Sequence, residues 1–121
     1  MESRKSSKSI RELVLWQKAH EMVLEIYRVT KDFREERYGL AYQIRRSSVS
    51  MATSITEAFE KRRATEKIRI MKISRHALLE TEHHLVLADS LEYSKMNLLM
   101  SMADEFRWML DAYVEAIRRG R

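Results

Sequence analysis

Residues 38–63 read YGLAYQIRRSSVSMATSITEAFEKRR, and the spacing of their apolar positions decides the fold. Advancing about 100° per residue puts Leu40, Ile44, Ser47, Met51, Ile55 and Ala58 on one side. That is the 3.6-residue period of a helix, not the two-residue alternation of a strand. A helix is predicted over about Tyr38–Glu60. Serine and threonine are mediocre helix formers, yet they crowd its middle. Ser47, Ser48, Ala52, Ser54 and Ala58 are small, so a neighbouring helix can come close. Their hydroxyls can bond back to carbonyls one turn earlier, which satisfies them when buried. A serine nucleophile would need a base and an oxyanion site, and nothing nearby supplies either.

The rest of the chain reads the same way. It has 121 residues, enough for one core, with no proline and two glycines. Sheets and long loops need more turn residues than that. Ser9 and Glu12 have capping-box spacing, so the first helix is predicted from Ile10 to Phe33, behind a flexible basic tail over 1–9. The single domain then spans 10–121. "REERYG" makes the first turn, "KRRAT" the second with Thr65 as cap, and "EYSK" the third with Ser94 as cap. The third helix is predicted to reach Leu91, and the fourth to reach Arg119, before Gly120. Core stripes follow from the helical period: Trp16, Ala19, Val23, Ile26, Tyr27 and Phe33 in the first helix; Ile70, Met71, Ala77, Leu78, Leu85 and Ala88 in the third; Leu99, Met102, Phe106, Met109, Leu110, Tyr113 and Ile117 in the fourth. Four helices with short turns pack most simply as an all-α, antiparallel up-down-up-down four-helix bundle.

Composition removes several function classes. Without cysteine there is no disulfide framework, thiolate metal site or thiol catalysis. No apolar run reaches the roughly 18–20 residues of a membrane span, and "MESRKSSKSI" lacks the apolar segment of a signal peptide. A cytoplasmic protein with no membrane association is expected.

Some apolar residues face away from these stripes. Tyr42, Val49 and Thr56 form a seven-residue series opposite the Leu40–Ile44–Met51 stripe. Ile68, Leu79 and Val86 lie on a flank of the third helix, and Trp108 points away from Leu110. Several apolar residues on secondary faces suggest subunit contacts. Tyr42, Val49, Ile68, Leu79, Val86 and Trp108 are the candidate interface of a homo-oligomer.

Positive charge is polarised. Up-down topology brings the N-terminal segment, the second turn and the C-terminus to one end of the bundle. That end holds Arg4, Lys5, Lys8 and Arg11; Lys61, Arg62, Arg63, Lys67 and Arg69; and Arg118 and Arg119. Residues 80–115 instead carry eight acids against Lys95 and Arg107, so the net charge of +5 conceals an uneven distribution. A cationic end attracts phosphates through counterion release, which contributes affinity without sequence readout. RNA or another polyanion is the expected partner. Arg45 and Arg46 lie mid-helix and are expected to pair with acids on a neighbouring helix or subunit.

Other chemistry is thin. "ETEHH" holds Glu80-x-x-His83, the spacing of carboxylate-bridged di-iron bundles, and His76 shares the face. No second Glu-x-x-His exists and the face lies opposite the core stripe, so no metal is assigned. His20 reads as a packed or interfacial histidine, and Met96, Met100, Met102 and Met109 as gap fillers. No phosphate-binding glycine loop and no acid/base pair appear. No catalytic residue and no cofactor are assigned.

Three segments, "LVLWQKAHEMVLEIYRVTKDF", "YGLAYQIRRSSVSMATSITEAFEKR" and "LLETEHHLVLADSLEY", together resemble the four-helix-bundle proteins encoded within intervening sequences of bacterial 23S rRNA genes. Trp16-Gln17-Lys18-Ala19, Tyr38-Gly39-Leu40 and Gln43-Ile44-Arg45-Arg46 carry the likeness. That family is similar to the accessory variability proteins of diversity-generating retroelements. The resemblance implies an up-down bundle assembled as a homopentamer, with a basic surface for RNA or a reverse transcriptase, and no catalysis. The chain departs from the family pattern at Arg34, Ser54, Thr56, Ala58 and His76-Ala77.

Overall fold

A computed structural model of the chain describes residues 2–33 and 39–120, with the side chains of the first helix described from Val14 onward. Four helices make up the fold: α1 (Glu2–Thr30), α2 (Leu40–Glu60), α3 (Ala64–Ser90) and α4 (Asn97–Arg118). The described residues contain no strand. Each helix packs on its neighbours in the order α1, α2, α3, α4 and back to α1, without diagonal contacts among the described residues. The cross-section is therefore a square. Register runs antiparallel, since Arg75 of α3 meets Asp111 of α4 while Glu82, farther along α3, meets the earlier Arg107. The fold is the all-α up-down bundle the periodicity predicts.

Every predicted core residue of α2 and α3 is buried. In α4, Met102 and Met109 are only half-buried against the core, and the rest of the stripe is sealed. α1 differs. Its buried face is Leu15, Ala19, Met22, Ile26 and Thr30, and the predicted Trp16, Val23 and Tyr27 sit on a flank, Tyr27 exposed. α1 carries apolar residues on two adjacent stripes, and periodicity alone selects the aromatic one. Packing selects Leu15 and Met22, which are buried in the core cluster.

The serines of α2 do close packing and polar work together. Ser47 Oγ donates to Ile44 O at 3.2 Å or shares a 2.7 Å bond with Thr81 Oγ1 of α3. Thr81 Oγ1 donates to Ala77 O at 2.9 Å, and Ser74 Oγ crosses from α3 to Met51 O at 2.9 Å. Ser48 and Ser54 bond back to Arg45 O and Ser50 O. The buried hydroxyls thus find partners, each bond worth about 0.5–1.5 kcal/mol net.

Helix ends depart most from the sequence reading. α1 starts at Glu2, not Ile10, because nothing between them breaks a helix, so the Ser9–Glu12 capping box falls inside it. It ends at Thr30, short of Phe33. Thr65 is likewise inside α3, whose N-cap is Arg63, and Ser94 precedes the Met96 cap of α4. Buried Met96 anchors that start, its N–H donating to Asp89 Oδ1 at 3.4 Å. α3 ends in a Schellman motif without glycine: Tyr93 N–H donates to Ala88 O and Glu92 N–H to Asp89 O, with Glu92 left-handed at φ 62°. α4 ends with Gly120 at φ 80°, its N–H on Ile117 O.

Two stability outcomes follow from this packing. Ser74→Leu should lower the urea midpoint by the equivalent of about 1–3 kcal/mol through overpacking the α2–α3 contact, while Ser74→Ala should cost about 0.5–1.5 kcal/mol through loss of the bond to Met51 O. Glu92→Gly should raise stability by about 0.5–1 kcal/mol, because only glycine escapes the left-handed penalty there.

Candidate nucleic-acid interface

The α2–α3 turn and the C-terminus of α4 lie at one pole, since α4 runs antiparallel to α3. Arg62, Arg63 and Arg69 are exposed and Lys61 is half-buried. Arg118 and Arg119 are exposed and stand 3.8 and 3.4 Å from Glu115. The start of α1 belongs to the same pole by topology, but the side chains of Arg4, Lys5, Lys8 and Arg11 lie outside the described residues. The other pole mixes signs, with Lys31 and Lys95 beside Asp32 and Glu92, all exposed.

Lys67 does not belong with the solvent-facing cations. It is 5% exposed, and its Nζ donates to Ala58 O at 3.1 Å and Phe59 O at 3.4 Å, with the Phe59 ring 6.0 Å away. These are the last carbonyls of α2, the negative end of the helix dipole. The ammonium closes a helix end; i+3/i+4 periodicity shows its buried position only if α3's core stripe is extended back one turn from Ile70 and Met71.

Arg45 is a second correction. Its Nε donates to Thr30 Oγ1 at 2.8 Å, a second nitrogen reaches Tyr27 O at 3.4 Å, and the guanidinium lies 4.6 Å from the Tyr27 ring centroid. Among the described residues it meets the carbonyl end of α1 rather than an acid. The reason is geometric: α2 begins at Leu40, so Arg45 is near a helix end and level with the end of α1. Arg46 is exposed and faces α3.

The candidate subunit residues separate into faces. Tyr42 and Val49 are exposed on the outer side of α2, toward the α1–α2 flank where exposed Tyr27 meets Arg45. Trp16 stacks on His20 on the same flank, centroids 4.6 Å apart and 12° from parallel. Leu79 and Val86 are exposed on the α3–α4 flank, Leu79 between the Arg75–Asp111 and Arg107–Glu82 ion pairs and Val86 one turn beyond Glu82. Ile68 differs from expectation: it is half-buried against the core, close to where α3 begins. Trp108 is 73% exposed on the α4 side that faces α1, beside a cleft lined by Leu15, Met109, Ala112 and Tyr113.

A different cleft, of about 230 Å³, opens between α2 and α3 and is lined by Gln43, Arg46, Ser47, Ser50, Glu80 and His84. His84 is half-buried, and its buried Nδ1 has no hydrogen-bond partner among the described residues. Burial, then neighbouring His83, holds the His84 pKa below the ordinary histidine value; Glu80 pulls weakly the other way. His76 stands 3.9 Å from Glu80 on the surface, and no group of three or more metal-ligating side chains converges among the described residues. No helix of the described residues is long and apolar enough to cross a membrane.

Residues 11–112 match the 23S rRNA-intervening sequence protein family. Among solved structures, the chain is similar to a protein of unknown function from the S23 ribosomal protein family of Bacteroides thetaiotaomicron, at 23% identity and a TM-score of 0.77. The likeness covers 87% of this chain and 98% of that one. It concerns the fold. No curated protein matches the chain significantly.

The depressed His84 pKa fixes a sign. An unfolded histidine takes up its proton near pH 6.5, before the folded one does, so acidification through and below that value favours unfolding. Stability should be greatest above about pH 6.5 and fall toward pH 5. His84→Asn should flatten that decline, read as the urea midpoint at each pH; an unchanged slope would contradict it.

Proposed function

The chain belongs to the 23S rRNA-intervening sequence protein family, and on that premise we propose that it is a non-enzymatic, ring-forming bundle whose basic pole binds RNA. The observation that carries the RNA reading is the convergence of Lys61, Arg62 and Arg63 with Arg118 and Arg119 at one pole, where they outnumber the exposed acids Glu60, Glu66 and Glu115, whereas Lys31 and Lys95 at the other pole are matched by Asp32 and Glu92. Only Glu115 among the described acids forms ion pairs with these cations. Phosphate neutralisation at such a pole contributes affinity for any strand, and repetition around a ring multiplies it.

The assembly reading rests on the two apolar flanks. In a square bundle the α1–α2 and α3–α4 edges are opposite each other. A two-fold dimer uses one self-complementary patch, whereas two different patches on opposite sides support head-to-tail contacts that close into a ring. The homopentamer that the family resemblance implies is a ring of that kind. Its closure would set every protomer's basic pole on one side. The cytoplasm, where rRNA is found, is the matching location.

Light scattering should give a mass corresponding to a homopentamer, and Val49→Glu or Leu79→Lys should each shift it toward monomer. A monomer at micromolar concentration in the parent protein ends the ring reading. Binding of single-stranded RNA should weaken steeply with salt, at about −0.7 log units per log unit of salt for each neutralised phosphate. Replacing Lys61, Arg62 and Arg63 together by glutamate should weaken binding at least tenfold and flatten the salt slope by roughly 2 for each protomer engaged. Equal retention by the triple variant and the parent removes the pole from the account.

A further inference from the structure

The polar cleft between α2 and α3 is not used by the pole or by the apolar flanks. It joins two stretches that stand out in the sequence, Gln43–Ser50 and "ETEHH". Arg46 and Gln43 stand on one wall and Glu80 and His84 on the other. Arg46 and Glu80 have opposite charges, yet among the described residues they form no ion pair with each other; Glu80 instead stands 3.9 Å from the His76 ring nitrogen on its own helix. Ser47 at the floor is held by Thr81, so the floor is fixed by the helix contact itself.

The lining selects a ligand by elimination. Every named side chain is polar, which argues against an apolar segment of a partner. The Glu80 carboxylate repels a lone phosphate, and no third metal-ligating side chain joins Glu80 and His84. What remains is a neutral group with donors on one edge and acceptors on the other. Guanine has this pattern: N1–H and the N2 amine on one edge, O6 and N7 on the other. A carboxylate accepts from the first edge and arginine donates to the second, the commonest specific contact to that base. His84, kept neutral by burial, presents a flat ring of the type on which unpaired RNA bases stack.

We propose that the α2–α3 cleft receives one unpaired guanine base of single-stranded RNA, with Glu80 and Arg46 reading its two edges. This rests on the RNA reading of the pole. A free amino acid would offer the same two charges, but Arg46, Gln43, Ser50 and Glu80 are all exposed. An open groove cannot bury most of a free small ligand, which is how such ligands are held. A base on a strand already anchored at the pole needs no such enclosure. Arg46 lies about 22 Å along α2 from Lys61 at 1.5 Å per residue, a separation a short single strand can bridge. The cleft also occupies the flank that a ring built from the α1–α2 and α3–α4 edges leaves uncovered.

The test uses the full chain and four labelled oligonucleotides, U8 and U8 with a single central G, A or C, followed by fluorescence anisotropy. The G-containing strand should bind about tenfold more tightly than the other three. Glu80→Gln should erase that preference, bringing the G-containing strand to the affinity of the other three. The Lys61/Arg62/Arg63→Glu variant should weaken all four strands and keep their ratio. Equal affinity for four strands that do bind overturns the cleft proposal while the pole reading stands. If the G-containing strand alone binds and the Lys61/Arg62/Arg63→Glu variant leaves it unchanged, the pole reading fails and the cleft stands. If no strand binds, the pole reading and the cleft proposal that rests on it are both overturned.

Discussion

The close approach of α2 and α3 is the constraint on which the rest depends. Two helices can pack this tightly only if the facing residues are small and if any hydroxyl taken from water finds a new partner. Ser47, Ser54 and Ala58 on α2 with Ser74, Ala77 and Thr81 on α3 meet both conditions. The bonds are individually modest, but an unpaired buried hydroxyl would cost about 1–3 kcal/mol. The contact therefore tolerates one register. That register sets where the α2–α3 turn stands, where Lys67 can reach the end of α2, and which side chains face each other across the polar cleft.

Connectivity then converts sequence charge into spatial charge. The turn at Lys61–Arg63 is too short to place α3 anywhere but beside α2, and α4 returns along α3 through the Arg75–Asp111 and Arg107–Glu82 pairs. Cations separated by more than fifty residues in the chain come to one pole. Not every cation contributes to it. Lys67 and Arg45 are withdrawn to helix ends, where each satisfies carbonyls that a helix cannot satisfy for itself. Both show the same economy: a basic side chain at a C-terminus replaces a glycine cap in a chain that has only two glycines.

Much of this was legible beforehand. The stripe from Leu40 to Ala58 and that from Ile70 to Ala88 repeat strongly enough to fix both faces, and the charge polarity follows once the helices are counted. α1 was misread because Trp16, Val23 and Tyr27 compete with Leu15 and Met22 for the core, and only three-dimensional packing decides between adjacent stripes. Helix starts are less legible: Ser9, Thr65 and Ser94 have capping chemistry, yet the helices begin at Glu2, Ala64 and Asn97. The α3 end was invisible because its left-handed position carries Glu92. The cleft was invisible as well, since it needs residues from two helices and no single spacing reports it.

The central claim is that RNA phosphates meet the pole made by the α2–α3 turn and the end of α4. Photocrosslinking of the intact protein to 4-thiouridine-containing single-stranded RNA, with the adducts mapped by mass spectrometry, tests it most directly. Adducts concentrated around Lys61–Arg63 and Arg118–Arg119 are the expected result. Adducts concentrated at the opposite pole, around Lys31 and Lys95, would contradict it.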